Sequence, residues 1–140
     1  MAKQELTPIV QVWNRACDSL SQEPLRLGDH ALKDMLRAHG LICNGGVFHA
    51  FDVLTREQIE AAKSGYRFYG FHEIVDLLSR AKELLDEDAE LGEYEERLDR
   101  KYSGYIGDSE LYEHFKQHFA AKPSDFAPLT PGGSWPGKCE

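Results

Sequence analysis

The chain of 140 residues contains 41% hydrophobic and 29% charged residues and carries a formal net charge of −8. Its length and composition predict one globular domain with one hydrophobic core, and no apolar run reaches the roughly 18 residues of a membrane span. The negative charge argues against direct binding to nucleic acid or to a membrane, and the N-terminus has no secretory signal, so we expect a cytoplasmic protein.

Apolar residues at spacings of three and four predict helices along the chain, and no segment alternates as a strand does. The first helix is expected from about residue 7 to residue 21, with Pro8 in its first turn. Asp29 is the expected N-cap of the second helix. We therefore predict an all-α fold of about six to eight helices, with a compact single domain at 1–126 and an extended, weakly ordered tail at 127–140.

A glycine pair follows the second helix in the stretch ICNGGVFHAF. A phosphate-binding loop needs Lys and then Ser or Thr after its glycines, and a dinucleotide-binding loop needs a third glycine after a strand, but neither pattern is present. We interpret Asn44, Gly45 and Gly46 as a structural turn between helices, because glycine readily adopts a positive φ. Phe48 and Phe51 are expected to be buried after this turn.

Further helices are predicted in the second half of the domain. Thr55 and Gln58 match a capping box that opens the fourth helix, and Gly70 is expected to end it. The fifth helix is expected at about residues 71–85, and the last one begins near Asp108.

An acidic segment lies at residues 83–100, where nine acidic and two basic residues give −7 of the net charge. Leu84, Leu91, Tyr94 and Leu98 keep an apolar stripe through this segment, so the carboxylates are expected on its exposed face. A solvated helix face that serves only solubility is the other interpretation. The predicted partner-binding acidic face consists of Glu87, Asp88, Glu90, Glu93, Glu95, Glu96 and Asp99.

An alternative site is a pocket beside the glycine pair, formed by His49, Asp52 and His72. These residue types can act as acids and bases, or bind a ligand or metal, so they would suit a small enzyme or a ligand- or metal-binding protein. Core or capping roles are the other interpretation of the two histidines, because no serine or cysteine nucleophile has a distinctive context beside them.

His114 and His118 lie one helical turn apart, a spacing that can hold a metal. No glutamate follows the first histidine directly and no third ligand is evident, so we interpret the pair as part of a solvated helix face. Cys17 and Cys43 have apolar neighbours and are expected in the core, and the odd number of cysteines does not predict a disulfide framework. We expect no catalytic residues, no metal and no cofactor.

Four stretches in a fixed order carry a resemblance to a known family: HGLICNGGVFHAFD, AAKSGYRFYGFHEIVDLLSRAKELL, YEERLDRKYSGY and LYEHFKQHFAAKPSDF. Over residues 28–126 the chain resembles the DNA-mimic-protein-like domain, a bacterial domain of unknown function. The resemblance implies an all-α fold without known catalysis, a homodimer, and carboxylates placed where DNA has phosphates. It also implies that a basic DNA-binding protein docks on these carboxylates.

The charge of the acidic segment limits how such mimicry could operate. A continuous helix of this length would be about 27 Å long, over which duplex DNA carries roughly 16 charges. One segment supplies −7, and two segments side by side would supply twice that charge, −14. We therefore expect a non-enzymatic protein-interaction domain that binds a basic protein, and mimicry of DNA would require a homodimer.

Overall fold

The computed structural model describes residues 7–17, 25–87 and 91–127. The expected continuation of the first helix to residue 21, two members of the acidic face (Asp88 and Glu90) and the tail from residue 128 lie outside these ranges. Within them no helix is long and apolar enough to cross a membrane.

The described residues form seven α-helices, a final 3₁₀ turn and no β-strand, so the all-α class and the number of helices are confirmed. In chain order the helices are α1 (Pro8–Cys17), α2 (Leu27–Gly45), α3 (Val47–Val53), α4 (Arg56–Phe68), α5 (His72–Asp86), α6 (Leu91–Tyr105) and α7 (Asp108–Ala121), followed by the 3₁₀ turn Pro123–Asp125.

The two ends of α4 form as their local residues predict. The N–H of Gln58 donates to Oγ1 of Thr55 at 3.1 Å, and the N–H of Thr55 donates to Oε1 of Gln58 at 2.9 Å. This reciprocal pair is the predicted capping box. Gly70 follows the end of α4 with a φ of 86°, a left-handed conformation that glycine adopts without strain. These two signals determine where α4 starts and where the chain turns into α5.

Asp29 is not the N-cap of α2, because Arg26 takes that position and Asp29 lies in the first turn of the helix. Oδ2 of Asp29 accepts the backbone N–H of Arg26 at 3.1 Å, so the carboxylate caps the helix from within. The side chain is also fully buried, and its Oδ1 accepts a hydrogen bond from Arg15 of α1 at 2.5 Å. Oδ2 further accepts the N–H of Ala127 at 2.6 Å. One carboxylate therefore joins α1, α2 and the C-terminal segment.

The hydrophobic core lies between the inward faces of the helices. α2 and α4 make the most extensive contact, and Gly65 of α4 faces the carbonyl oxygen of Ala31 so closely that a Cβ there would overlap this oxygen. The largest fully buried side chains are Tyr66, Phe115, Leu32, Met35, Ile74, Leu78, Leu84 and Leu111.

The acidic segment is divided between two helices that pack on each other. α5 ends at Asp86 and α6 begins at Leu91. Leu84 and Leu98 are buried, and Leu91 and Tyr94 lie partly buried against the core. The predicted apolar stripe is confirmed, and it continues across the break because both helices turn their apolar side to the same core.

Candidate functional site

The junction between α2 and α3 is a single residue. α2 continues through Asn44 and Gly45, and Gly46, with a φ of 96°, lies between the two helices. Phe48 is buried beyond the junction, whereas Phe51 is only partly buried. Asn44 and Gly45 therefore belong to α2 and not to the predicted turn, and Gly46 alone separates the two helices and has the positive φ.

The two glycines are needed for different reasons. A Cβ on Gly45 would lie 2.5 Å from atoms of the His49 ring in α3, so this residue provides space. A Cβ on Gly46 would lie 2.7 Å from Oδ2 of Asp99 in α6, and the positive φ would add backbone strain. The glycine pair therefore lets side chains of α3 and α6 approach the end of α2.

Asp99 departs from the predicted acidic face, because it is half-buried and holds the start of α3. Its Oδ1 accepts the backbone N–H of Val47, the first residue of α3, at 2.8 Å. A carboxylate at a helix N-terminus satisfies a free N–H group and interacts favourably with the helix dipole. The two residues are 52 positions apart, so no local pattern in the sequence indicates this contact.

A pocket of about 350 Å³ opens at the same junction. Its wall consists of residues 42–46 on one side and of Asp99, Tyr102 and Ser103 of α6 on the other. The sequence placed a candidate pocket beside the glycine pair, and a pocket lies there, but its walls are built from other side chains than the predicted ones.

Neither of the two described pockets is lined by all three of His49, Asp52 and His72. The ring of His49 lies against Gly45 and is not part of the pocket wall. Asp52 is exposed and lines a separate cavity of about 240 Å³ between the start of α4 and the end of α5. His72 is exposed at the first position of α5. The alternative acid–base site predicted from these three residues therefore stays a prediction.

A hydrogen-bonded chain of side chains leads from the core to the pocket. Oη of Tyr66 lies 2.6 Å from Oη of Tyr102, which lies 2.7 Å from Nδ1 of His39. Nε2 of His39 lies 3.5 Å from Sγ of Cys43. The first three side chains are buried, and Cys43 is exposed. The spacing of four between His39 and Cys43 is visible in the sequence, whereas only the fold brings the two tyrosines to them.

The apolar neighbours of Cys17 and Cys43 predicted core positions for both, but neither side chain is fully buried. Cys43 is exposed at the end of α2. Cys17 is partly buried and disulfide-bonded. Apolar neighbours in sequence do not decide burial, because successive residues of a helix point to different sides.

The structure exposes part of the predicted acidic face. Of its described members, Glu87, Glu93, Glu95 and Glu96 are exposed. Glu96 forms a salt bridge with Arg100 at 2.7 Å. Within α6 four acidic residues are interleaved with three basic ones, which leaves a net charge of −1 on that helix. Most of the net charge of the acidic segment therefore lies in residues 83–90, before α6 begins.

α5 contributes a second row of exposed carboxylates beside α6. Its exposed acidic residues are Glu73, Asp76, Glu83 and Asp86. Residues 72–105, which we call the acidic hairpin, contain eleven acidic and five basic residues, a net charge of −6 out of the total of −8. The hairpin therefore accounts for most of the net negative charge of the chain.

His114 and His118 are packed against other side chains, so the predicted solvated face is wrong. Nδ1 of His114 lies 2.7 Å from the carbonyl oxygen of Tyr69, and its ring stacks on Phe71 with centroids 4.1 Å apart. Nε2 of His118 lies 2.8 Å from Oδ2 of Asp125. Across residues 7–17, 25–87 and 91–127, no three His, Cys, Asp or Glu side chains gather in a group that could hold a metal ion.

Comparisons of the chain with protein-family models, with curated proteins and with solved structures found no match. The resemblance to the DNA-mimic-protein-like domain therefore stays a prediction. The pocket at the α2–α3 junction and the acidic hairpin are the two features from which a function can be argued.

Proposed function

We propose that the chain is a non-enzymatic protein-interaction domain that binds a basic protein surface through its acidic hairpin. The observation that supports this proposal is the concentration of six of the eight net negative charges in residues 72–105, which comprise α5, α6 and the residues between them and have exposed carboxylates on both helices. Such a surface attracts a positively charged partner and raises its rate of association. Solubility alone would be served equally well by an even distribution of charge.

Glu87, Glu93 and Glu95 are the carboxylates best suited to this contact. They are exposed and form no salt bridge within the described part of the chain. A lysine or arginine of the partner would therefore not have to displace an internal basic group. Glu96 is less suited because Arg100 already pairs with it, although such an exposed pair contributes at most about 1 kcal/mol.

Mimicry of DNA is the narrower form of this proposal, and it requires two copies of the chain. A helix as long as α6 extends over about 22 Å, and duplex DNA carries about 13 charges over that distance. One hairpin supplies −6, and two hairpins in a homodimer would supply −12. The resemblance to the DNA-mimic-protein-like domain supports a DNA-binding protein as the basic partner of such a dimer.

Affinity capture from a bacterial lysate with matched charge variants tests the proposal. The hairpin variant carries Glu87→Gln, Glu93→Gln and Glu95→Gln. The control variant makes the same change of charge at the exposed positions Glu57, Glu60 and Glu113 of α4 and α7. Wild type and control should retain the same basic proteins at 50 mM NaCl and release them at 500 mM, because salt screens contacts between exposed charges.

The hairpin variant should lose these proteins already at 50 mM NaCl. A purified partner should also associate several-fold more slowly with the hairpin variant than with the control. The reason is that a hairpin with fewer negative charges attracts a positively charged partner less strongly. Equal retention by the hairpin variant would show that the hairpin is only a solvated surface. Sedimentation of the free chain would report whether it forms the homodimer that mimicry of DNA requires.

A further inference from the structure

The pocket at the α2–α3 junction has a buried floor and an open rim. Ile42 and Tyr102 of its wall are buried, whereas Asn44 and Ser103 are exposed. Its volume of about 350 Å³ is at the lower end of the range for ligand pockets. The pocket is therefore large enough for one side chain or one small molecule that enters from the solvent.

Asp99 is the charged side chain in the wall of this pocket, and it is half-buried. Its Oδ1 accepts the N–H of Val47 at 2.8 Å, so the start of α3 offsets part of its charge. Its Oδ2 lies beside Gly46, where the lack of a Cβ leaves room for it. In residues 7–17, 25–87 and 91–127 no basic side chain forms a salt bridge with this carboxylate. A partly desolvated carboxylate without a cation favours a positively charged ligand.

The end of α2 makes the pocket more negative. Residues 42–45 are the last residues of this 19-residue helix, and they form one side of the wall. The C-terminus of a helix carries a partial negative charge, and carbonyl groups of its last turn lack an N–H donor within the helix. The pocket therefore combines a carboxylate with further hydrogen-bond acceptors.

The pocket opens beside the acidic hairpin, because α6 contributes to both. Glu95 is exposed one helical turn before Asp99, and Ser103 lies one turn after it. Residues four positions apart lie on the same side of a helix. A positively charged surface that docks on Glu95 therefore has the pocket within reach of a long side chain.

We propose that the pocket binds a guanidinium group, and that the basic partner supplies this group as an arginine side chain. The identity of the supplier rests on the proposed function. A guanidinium has five N–H donors in one plane and keeps its charge, so it can bind Asp99 and a neighbouring carbonyl or hydroxyl oxygen at the same time. A lysine ammonium is more strongly hydrated and lacks this planar fork, so arginine fits these acceptors better.

Titration of the purified chain with N-acetylarginine amide tests the pocket without a partner. Two-dimensional NMR follows the backbone N–H signals of Gly46, Val47 and Ser103. These signals should shift with a dissociation constant of roughly 1–10 mM, as expected for a small ligand with few contacts. N-acetylcitrulline amide has nearly the same shape without the charge, and it should bind at least about fivefold more weakly. Nα-acetyllysine amide has the charge without the fork, and it should also bind more weakly than the arginine compound.

Two variants with matched controls locate the site. Asp99→Asn keeps an acceptor for the N–H of Val47 but loses the charge, so the preference for arginine over citrulline should disappear. Glu113→Gln, the same loss of charge at an exposed position of α7, should leave the preference unchanged. Ser103→Phe fills the rim of the pocket and should abolish the shifts, whereas Ser109→Phe, at an exposed position outside the wall, should not. Circular dichroism checks that each variant is folded.

A basic partner found by affinity capture tests the source of the guanidinium group. The partner should dissociate several-fold faster from Ser103→Phe than from Ser109→Phe, with little change in association rate, because loss of a buried anchor acts mainly on dissociation. The hairpin variant should instead slow association. If no basic protein is captured, the proposed function and the partner's arginine are both refuted, and the titration alone decides about the pocket.

The proposal is overturned if the citrulline or the lysine compound binds as tightly as the arginine compound, or if Asp99→Asn keeps the preference for arginine. If Asp99→Asn fails to fold, Ser103→Phe and the salt dependence decide. Shifts that persist in Ser103→Phe, or a preference over citrulline that is unchanged between 20 and 500 mM NaCl, would refute the site. An unchanged dissociation rate of the partner from Ser103→Phe would refute the insertion of its arginine.

Discussion

Gly46 and Gly40 show how differently two glycines of one region can act on stability. Gly46 has a φ of 96°, and a Cβ on it would meet the Asp99 carboxylate at 2.7 Å. Gly40 lies inside α2 and has no atom within 4 Å of an added Cβ. Gly40 lies in α2 and Gly46 directly follows it, yet the fold requires a glycine only at position 46.

Replacing each of these glycines by alanine should have opposite effects. Gly46→Ala should lower the free energy of unfolding by about 1–3 kcal/mol, because it adds a left-handed alanine and a close contact. Gly40→Ala should raise it by up to about 1 kcal/mol, because alanine favours the helix more than glycine does. Urea unfolding followed by circular dichroism measures both values. A loss of similar size in both variants would contradict the assignment of a special role to Gly46.

The roles of residues that contact only the neighbouring backbone could be predicted from the sequence. The roles of residues whose hydrogen-bond partners lie far away in the sequence could not. Thr55 and Gly70 act within one helical turn of their own position, and the structure has both as expected. Asp29 and Asp99 were assigned to a cap and to an exposed face from local context. Their hydrogen-bond partners include residues 98 and 52 positions away, and sequence periodicity carries no information about such contacts.

At the scale of elements, α3 depends on a residue of another helix. It has seven residues, too few for a helix to be stable on its own. Packing of its apolar side against the core and the hydrogen bond between Val47 and Asp99 hold it in place. The short helix and α6 are therefore coupled, and a change in α6 should be detectable in α3.

Replacement of Asp99 tests this coupling. Asp99→Ala should lower the free energy of unfolding by about 0.5–2 kcal/mol, the usual effect of removing a capping side chain. Asp99→Asn should cost less, because its amide oxygen still accepts the N–H of Val47. Amide hydrogen exchange should become faster in α3 in particular. Glu95→Ala serves as the control at an exposed position of α6, and if it accelerates exchange in α3 equally, the effect does not come from the cap.

The predicted acidic helix shows what periodicity can establish about an element. The spacing of Leu84, Leu91, Tyr94 and Leu98 identified the inward side correctly, because burial depends on position around the helix axis. The end expected for the fifth helix near residue 85 agrees with the end of α5 at Asp86, so Leu84 belongs to α5 and the other three to α6. The spacing alone does not show this division, since two helices facing one core can keep the same spacing. The two helices together are less acidic than the segment, because α5 includes Arg80 and Lys82 before it and α6 includes Lys101 beyond it.

At the scale of the whole molecule, the C-terminal segment completes the core. Phe126 is buried among aromatic side chains, and Ala127, which the sequence assigned to the tail, is buried as well. The N–H of Ala127 donates to Asp29, and its carbonyl oxygen accepts from Arg15 at 3.1 Å. The buried pair of Arg15 and Asp29 thus joins the first helix to a segment 112 residues later in the chain.

A double-mutant cycle on this buried pair tests how it contributes to stability. Asp29→Asn should lower the free energy of unfolding by about 3–5 kcal/mol, because it removes the negative charge that pairs with the buried Arg15 cation. Arg15→Met should also destabilise, though less, because backbone N–H groups of residues 26 and 127 still donate to the Asp29 carboxylate.

The double variant should lose less than the sum of the two single losses, by about 1–3 kcal/mol, since neither charge is left without its counterpart. The same cycle on the exposed pair of Glu96 and Arg100, with glutamine at both positions, should show a coupling below about 1 kcal/mol. Both cycles are measured by urea unfolding at low and high salt. The coupling of the buried pair should persist at high salt, because solvent ions do not reach it. Additive losses at Arg15 and Asp29 would mean that the backbone contacts of the C-terminal segment, and not the charge pair, hold that segment on the core.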